Sequence, residues 1–277
     1  MKLSLSMWSM HRTTRENQGN VLDFLAFCRR EGIRQVELLD VFWKDKEAEL
    51  PAVLSFMKEN GITLSSYAVG NDFVKGTPGE RAEALRVVTD GIETAGMLGA
   101  PVVRVFSGNL SDAFTFDSAL DWIVSGLREA AASAEKAGIT LCLENHGKLA
   151  GKGDQVLEIL KRVDSPALKS TFDTGNFLLV DEQPLHALDV LLPYIGHVHI
   201  KDFAETPEGR YKALSGKTYE GVFAGEGDVR LDSIVTRLKE AGYSGACVLE
   251  YEGTGDEAEG IRKSYENFNQ LVQTKGE

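Results

Sequence analysis

At 277 residues and 30.3 kDa, the chain has the length of one large α/β domain. Its formal net charge of −12 and pI near 5.0 repel phosphodiester backbones and anionic membrane surfaces, so nucleic acid and membrane are not expected partners. No run approaches the roughly 18 apolar residues of a membrane helix. Cys28, Cys142 and Cys247, odd in number and widely spaced, read as reduced core thiols in a cytoplasmic setting.

The N-terminal MKLSLSMWSMHR has no sustained apolar region with a cleavage site, and reads as a first strand (3–8) rather than a signal peptide. In chain order there follow a helix over VLDFLAFCRR (21–30), a strand QVELL (35–39), a helix from AVLSFMKEN (52–60) and a strand TLSSYAV (63–69). A long connection from Gly70 to Glu80 leads to RAEALRVVTDGIETAGML (81–98), the strand VVRVF (102–106) and a helix over 119–138. The strands TLCLE (140–144), LKSTFD (168–173) and HVHIK (197–201) come next. A second long connection, Asp202 to Val229, precedes a helix over 233–242 and the last strand, ACVLE (246–250). Both long connections follow strands and are expected to serve as covers or as oligomer contacts.

Strict alternation of strands with amphipathic segments implies parallel strands and crossover helices. Eight such units without a compositional break predict a single (β/α)8 TIM barrel, one catalytic domain over 1–277. No GxGxxG follows the first strand, no phosphate-cradling GxxxxGK[ST] occurs, and no Pro/Gly/Ser-rich linker marks a boundary.

Barrel active sites form at the C-terminal ends of strands, where four consecutive strands here close on a chemically active residue: Glu144 in LCLENH, Asp173 in STFDTGN, His199 in HVHIKD and Glu250 in CVLEYEG. Period-two alternation turns Thr140, Cys142, Glu144 and His146 to one face, and Ala246, Val248 and Glu250 likewise. Three carboxylates crowded in a partly desolvated patch repel one another, and a divalent cation resolves the conflict. Three hard oxygens with one nitrogen suit Mn2+, Mg2+ or Co2+ better than Zn2+. Each acid alone could equally be a helix N-cap or a salt-bridge partner; the coincidence of all four favours a site.

LEN (143–145), FDTGN (172–176), HVHIKD (197–202), GEGDV (225–229) and LEYEG (249–253) together resemble the signatures of the xylose-isomerase-like sugar isomerase/epimerase superfamily, which includes ketose 3-epimerases, inosose dehydratase and, more distantly, endonuclease IV. The resemblance implies that Glu144, Asp173, His199 and Glu250 bind one divalent metal ion, Mn2+ first with Mg2+, Co2+ or Zn2+ as alternatives. It also implies that Glu144 and Glu250 double as acid/base groups in an isomerase or epimerase working on a small keto-sugar or polyol derivative through an enediolate. The alternative is a lyase or dehydratase working on a keto-inositol or keto-glycoside. A nuclease of the endonuclease IV kind needs more histidines than the five present. A non-catalytic sugar-binding barrel would leave a competent quartet idle. Homo-oligomers are common among such barrels, and a small-molecule carbohydrate is the expected partner.

Three positions depart from ketose 3-epimerases: Asn176 stands where they carry a histidine, Ala150 where they carry an acid, and Glu205 where they carry an arginine. Arg210, Lys212 or Lys217 of the long connection could supply substitute grips. For the substrate, His146 and Lys201 share parity with the ligands and Asn176 follows the aspartate. Glu37 is a candidate substrate or salt-bridge acid, and inward-facing Arg104 requires a carboxylate partner, Glu37 or Glu144. Trp8 and His11 could wall a sugar pocket. His197, one pair deeper than His199, reads as a core histidine supporting the ligand set.

Overall fold

Eight parallel strands close on themselves through helical crossovers in the computed structural model, which describes residues 1–273. β1 (Lys2–Ser6) leads through a 3-10 turn to α1 (His11–Glu16) and α2 (Val21–Arg30). Then come β2 (Gln35–Leu39), α3 (Lys46–Asn60), β3 (Thr63–Ala68), α4 (Pro78–Leu98), β4 (Val102–Val105), α5 (Phe116–Ala137) and β5 (Thr140–Glu144). They are followed by α6 (Gly153–Val163), β6 (Leu168–Asp173), α7 (Pro184–Leu191) and β7 (Ile195–Ile200). A side excursion carries β8 (Phe203–Glu205), β9 (Tyr211–Lys212) and β10 (Thr218–Gly221) before α8 (Leu231–Glu240), β11 (Ala246–Leu249) and α9 (Glu257–Gln273). The order round the barrel is β1-β11-β7-β6-β5-β4-β3-β2, closed by the parallel pairing of β1 with β11 and with β2. This is the (β/α)8 TIM barrel that the alternation predicts.

Periodicity places the starts of α4 and α5 at 81 and 119, yet the helices begin at Pro78 and Phe116. Thr77 and Thr115 cap them by accepting the backbone N–H of Glu80 and Ser118. These first turns are mostly solvent-exposed, so capping rather than apolar spacing marks their start. The outward strand faces are apolar and pack on the helices, with Leu141, Leu143, Cys247 and Leu249 all buried. The interior is instead polar. Ser4 Oγ lies 2.8 Å from Ser65 Oγ, and Ser6, Glu37, Ser66, Thr171, His197 and His199 are buried above that pair or beside it. The three cysteines are free and buried, as their spacing suggests. Among the described residues no helix is long and apolar enough to cross a membrane.

The two long connections are more ordered than their sequences suggest. In the first, Phe73 and Val74 are buried. Asn71 bridges to the end of β4, donating to the Phe106 carbonyl at 2.7 Å and accepting from its N–H at 2.9 Å. A Cβ on Gly126 of α5 would stand 2.5 Å from the Phe73 ring, so the helix needs glycine where this loop is seated. The second connection folds as a three-stranded antiparallel sheet in the order β8-β10-β9, with strands of two to four residues, too short to leave a readable period.

Candidate metal centre and cavity

The ends of β5, β6, β7 and β11 bring Glu144, Asp173, His199 and Glu250 into one buried cluster. Ligand atoms of Glu144, Asp173 and His199 all lie within 4.8 Å of one another. Nδ1 of His199 stands 3.5 Å from Glu144, 4.0 Å from Asp173 and 3.4 Å from Glu250. Local sequence fixes each member. Asn145, next to Glu144, accepts the Asp173 N–H at 2.9 Å and donates to the Asp173 carbonyl at 3.0 Å, stitching β5 to β6. The TGN turn then folds over Asp173, whose Oδ1 accepts the N–H groups of Gly175 and Asn176 at 2.9 and 3.0 Å. Oδ2 is thereby left to face the cluster. Gly175 is required here, because a Cβ would stand 2.9 Å from Cγ of Lys201.

Behind His199 lies Glu37, fully buried on β2. Its carboxylate accepts from Ser6 Oγ at 2.9 Å and Ser66 Oγ at 2.7 Å, and lies 3.1 Å from His199 Nε2 and 3.5 Å from His197 Nε2. A carboxylate only accepts, so it fixes the proton on Nε2 and turns the Nδ1 lone pair toward the cluster when a cation is present. Of the two roles expected for Glu37, substrate contact or salt bridge, the contacts seen are the ion pairs with His197 and His199; its side chain is fully buried and is not among the cavity-lining residues. His197 sits deeper on the same carboxylate, as a supporting core histidine should.

Positive charge is already built into the cluster. Lys201 Nζ lies 3.1 Å from Asp173, 3.0 Å from Glu250 and 2.9 Å from Glu252, and Arg104 Nε lies 3.1 Å from Glu144. An ammonium and a guanidinium therefore share with a divalent ion the task of relieving the crowded acids. In the protein alone, burial pushes Glu144 and Asp173 upward. Burial opposes ionisation of Glu250 too, but Lys201 and His199 outweigh it and draw that carboxyl down. Burial alone would lower Lys201, yet Asp173, Glu252 and Glu250 hold it well above the ordinary lysine range, so it stays an ammonium. His146 is pushed down to about 4 by burial and by the neighbouring Lys201 and Arg104, so it is neutral near pH 7.

Among the four candidate ligands two buried atoms lack a hydrogen-bond partner, Asp173 Oδ2 and His199 Nδ1; Lys201 approaches the former as an ion pair without hydrogen-bond alignment. Orphaned atoms of ligand type beside one another, with two more carboxylates next to them, fit a hard divalent cation that displaces the proton from Nδ1.

Above the cluster opens a cavity of about 520 Å³. Trp8, His11, Arg104, His146, Asn176 and Lys201 all line it, as do Glu144 and Glu250. Asn176 Nδ2 donates to Glu144 at 3.2 Å. Arg104, Phe106 and His146 form a layered stack, the guanidinium 3.9 Å above the Phe106 ring and that ring 4.1 Å from the imidazole. The proposed grips from the long connection do not reach the cavity: Arg210 pairs with Glu220 at 2.6 Å, Lys217 pairs with Glu205 at 2.7 Å, and Lys212 is exposed. Tyr211 enters it instead and hydrogen-bonds Glu252. Glu252 escaped the sequence reading although the signal was there, since it stands two residues beyond Glu250, at the same parity, just past the strand end.

A family model described as Xylose isomerase-like TIM barrel matches residues 25–271. The chain belongs to that family. This xylose isomerase-like barrel is 27% identical over 199 residues to an inosose dehydratase of Bacillus anthracis, covering 69% of this chain and 63% of that one. The chain spans 46–63% of the length of the first inosose dehydratases it matches. Among solved structures, the IOLI protein with a bound zinc atom is similar at a TM-score of 0.79 and 20% identity, covering 98% of both chains. A D-tagatose 3-epimerase-like protein is similar at 0.78 and 20%, again over 98% of both.

Proposed function

We propose that this chain enolises a small polyhydroxylated ketone with the help of a divalent ion, and then eliminates an oxygen substituent from the neighbouring carbon as water or an alcohol. Glu144, Asp173, His199 and Glu250 would hold the ion, Mn2+ first with Mg2+, Co2+ or Zn2+ as alternatives. When bound, it supplies polarisation of the carbonyl and charge stabilisation of the enolised substrate. The observation that carries the reading is the pair of side chains beside the cluster: neutral His146 and the Lys201 ammonium both face the cavity. His146 accepts the proton from the carbon next to the carbonyl. The bond from the next carbon to its oxygen then breaks as the electron pair moves in to form the double bond, and the departing oxygen takes the proton back from the imidazolium. Lys201 keeps its protons and donates hydrogen bonds to the oxygen that gains charge. Sequence similarity to inosose dehydratases supports an elimination.

A second reading, isomerisation or epimerisation, is favoured by one feature: Glu144 and Glu250 lie 3.5 and 3.4 Å from the same His199 nitrogen and could serve opposite sides of a substrate. Against it, two of the three positions that carry polar grips in ketose 3-epimerases hold buried Ala150 and a Glu205 engaged with Lys217. Incubating the Mn2+-supplemented protein with keto-inositols, keto-glycosides and free ketoses in deuterated water separates the outcomes. Products lighter by water, or release of an alcohol, are expected. Deuterium-labelled products that have lost neither water nor an alcohol would establish the second reading, and neither elimination nor exchange at any carbon would sink both.

A further inference from the structure

Resting on that reading, we propose that the cavity holds a second subsite on its β1–β2 side, built for an uncharged ring attached to the reacting keto-sugar, so that the natural substrate is a glycoside-type conjugate and not a sugar phosphate.

The cluster and its protonatable neighbours come from β5, β6, β7 and β11. In the barrel order β1 faces β5 and β2 faces β6 across the axis. The opposite wall therefore belongs to the loops after β1 and β2, where Trp8, His11, Leu39 and Val41, met by Leu179 and Tyr211, form an aromatic and apolar surface with Arg15 and Asp40 beside it. Trp8 and His11 stack at 4.7 Å with an interplanar angle of 10°, and the His11 ring is pinned by Nδ1 2.7 Å from the Trp8 carbonyl oxygen. This aromatic block is assembled before any ligand arrives, so little ordering opposes binding there. Val41 is 57% exposed yet lines the cavity, an apolar surface left open to water at the mouth. At about 520 Å³ the space exceeds what one six-carbon sugar fills.

Charge excludes the usual alternative. The cationic side chains in the wall are Arg15, Arg104 and Lys201, against the carboxylates of Asp40, Glu144, Glu250 and Glu252. Arg104 and Lys201 are committed to ion pairs with the cluster. Arg15 alone, at the exposed mouth with its guanidinium 5.2 Å from the Trp8 ring centroid, does not make a receptor for a dianionic phosphate.

The test uses ligands that lack the ketone, so binding is read apart from turnover: glucose, phenyl glucoside, a glucose disaccharide and glucose 6-phosphate, titrated into the full chain with Mn2+ and followed by saturation-transfer NMR and tryptophan fluorescence. At least one ringed conjugate should bind about tenfold or more tightly than glucose. Tighter binding of phenyl glucoside identifies an aryl group as the second ring, and tighter binding of the disaccharide a sugar; both support the subsite. The preference should collapse in Val41→Asp, whose exposed position leaves folding intact, and in Trp8→Ala. Equal binding of all neutral ligands, tightest binding of glucose 6-phosphate, or a preference that survives Val41→Asp would overturn the proposal. Loss of water or an alcohol from keto-sugars judges the elimination reading separately: elimination without ring preference removes only the subsite, and ring preference without elimination removes only the chemistry.

Discussion

Replacing Glu37 with glutamine tests whether the cluster is organised from behind. The side chain keeps its volume, but its carboxylate accepts from Ser6 and Ser66 and faces His199 Nε2 at 3.1 Å, in an environment with no access to water. A carboxamide offers one acceptor and one donor. If its NH2 faces His199, Nε2 becomes the acceptor, the ring proton moves to Nδ1, and the atom aimed at Glu144, Asp173 and Glu250 loses its lone pair. If its oxygen faces His199, the tautomer survives but the negative charge that strengthens the imidazole as a donor is gone. Changes of this kind typically weaken metal affinity by about 10- to 100-fold, or about 1.4–2.8 kcal/mol. Mn2+ affinity measured by calorimetry near neutral pH, with a thermal melt confirming the fold, reads this directly. Ser66→Ala, which removes a 2.7 Å hydrogen bond to Glu37 and a 3.2 Å contact with Ser65 without altering charge or touching a ligand, should leave affinity nearly unchanged. Unaltered Mn2+ binding in a folded Glu37→Gln protein would refute the claim that this carboxylate sets the ligand nitrogen.

Lys201→Met removes the ammonium that bridges Asp173, Glu250 and Glu252 while keeping its stem beside Gly175; turnover should fall by about 100-fold or more with Mn2+ binding retained, as comparison of calorimetry with rates would reveal. Stripping divalent ions and restoring Mn2+ to 100 times its dissociation constant should add about 2.7 kcal/mol of stability, a melting shift of roughly 5 °C or more, and Glu144→Gln with Asp173→Asn should abolish that shift. Gly126→Ala drives a Cβ to 2.5 Å from the buried Phe73 ring; even after the gain in helix propensity, urea unfolding should show a net loss of about 1–2 kcal/mol, and an unchanged midpoint would mean that the first long connection is not seated on α5 as described.

The sequence by itself determined the barrel and the cluster, because both follow from short-range rules. Alternation of strand and helix leaves a closed parallel sheet as the economical solution, and period two inside each strand decides which residues look inward. Glu144, Asp173, His199 and Glu250 could thus be picked out from strand ends alone. Tertiary structure decided how the remaining charges are distributed. Arg210 and Lys217 are spent on Glu220 and Glu205 within a small sheet whose strands are too short to announce themselves. Glu37 is turned against His199, Lys201 is drawn onto Asp173, Glu250 and Glu252, and Arg104 takes Glu144 rather than Glu37 as its partner. Such pairings are competitions among charged groups distant in the chain. In a low-dielectric interior the outcome depends on separations of a few ångströms across the barrel axis, which closure of the sheet sets and linear order does not carry.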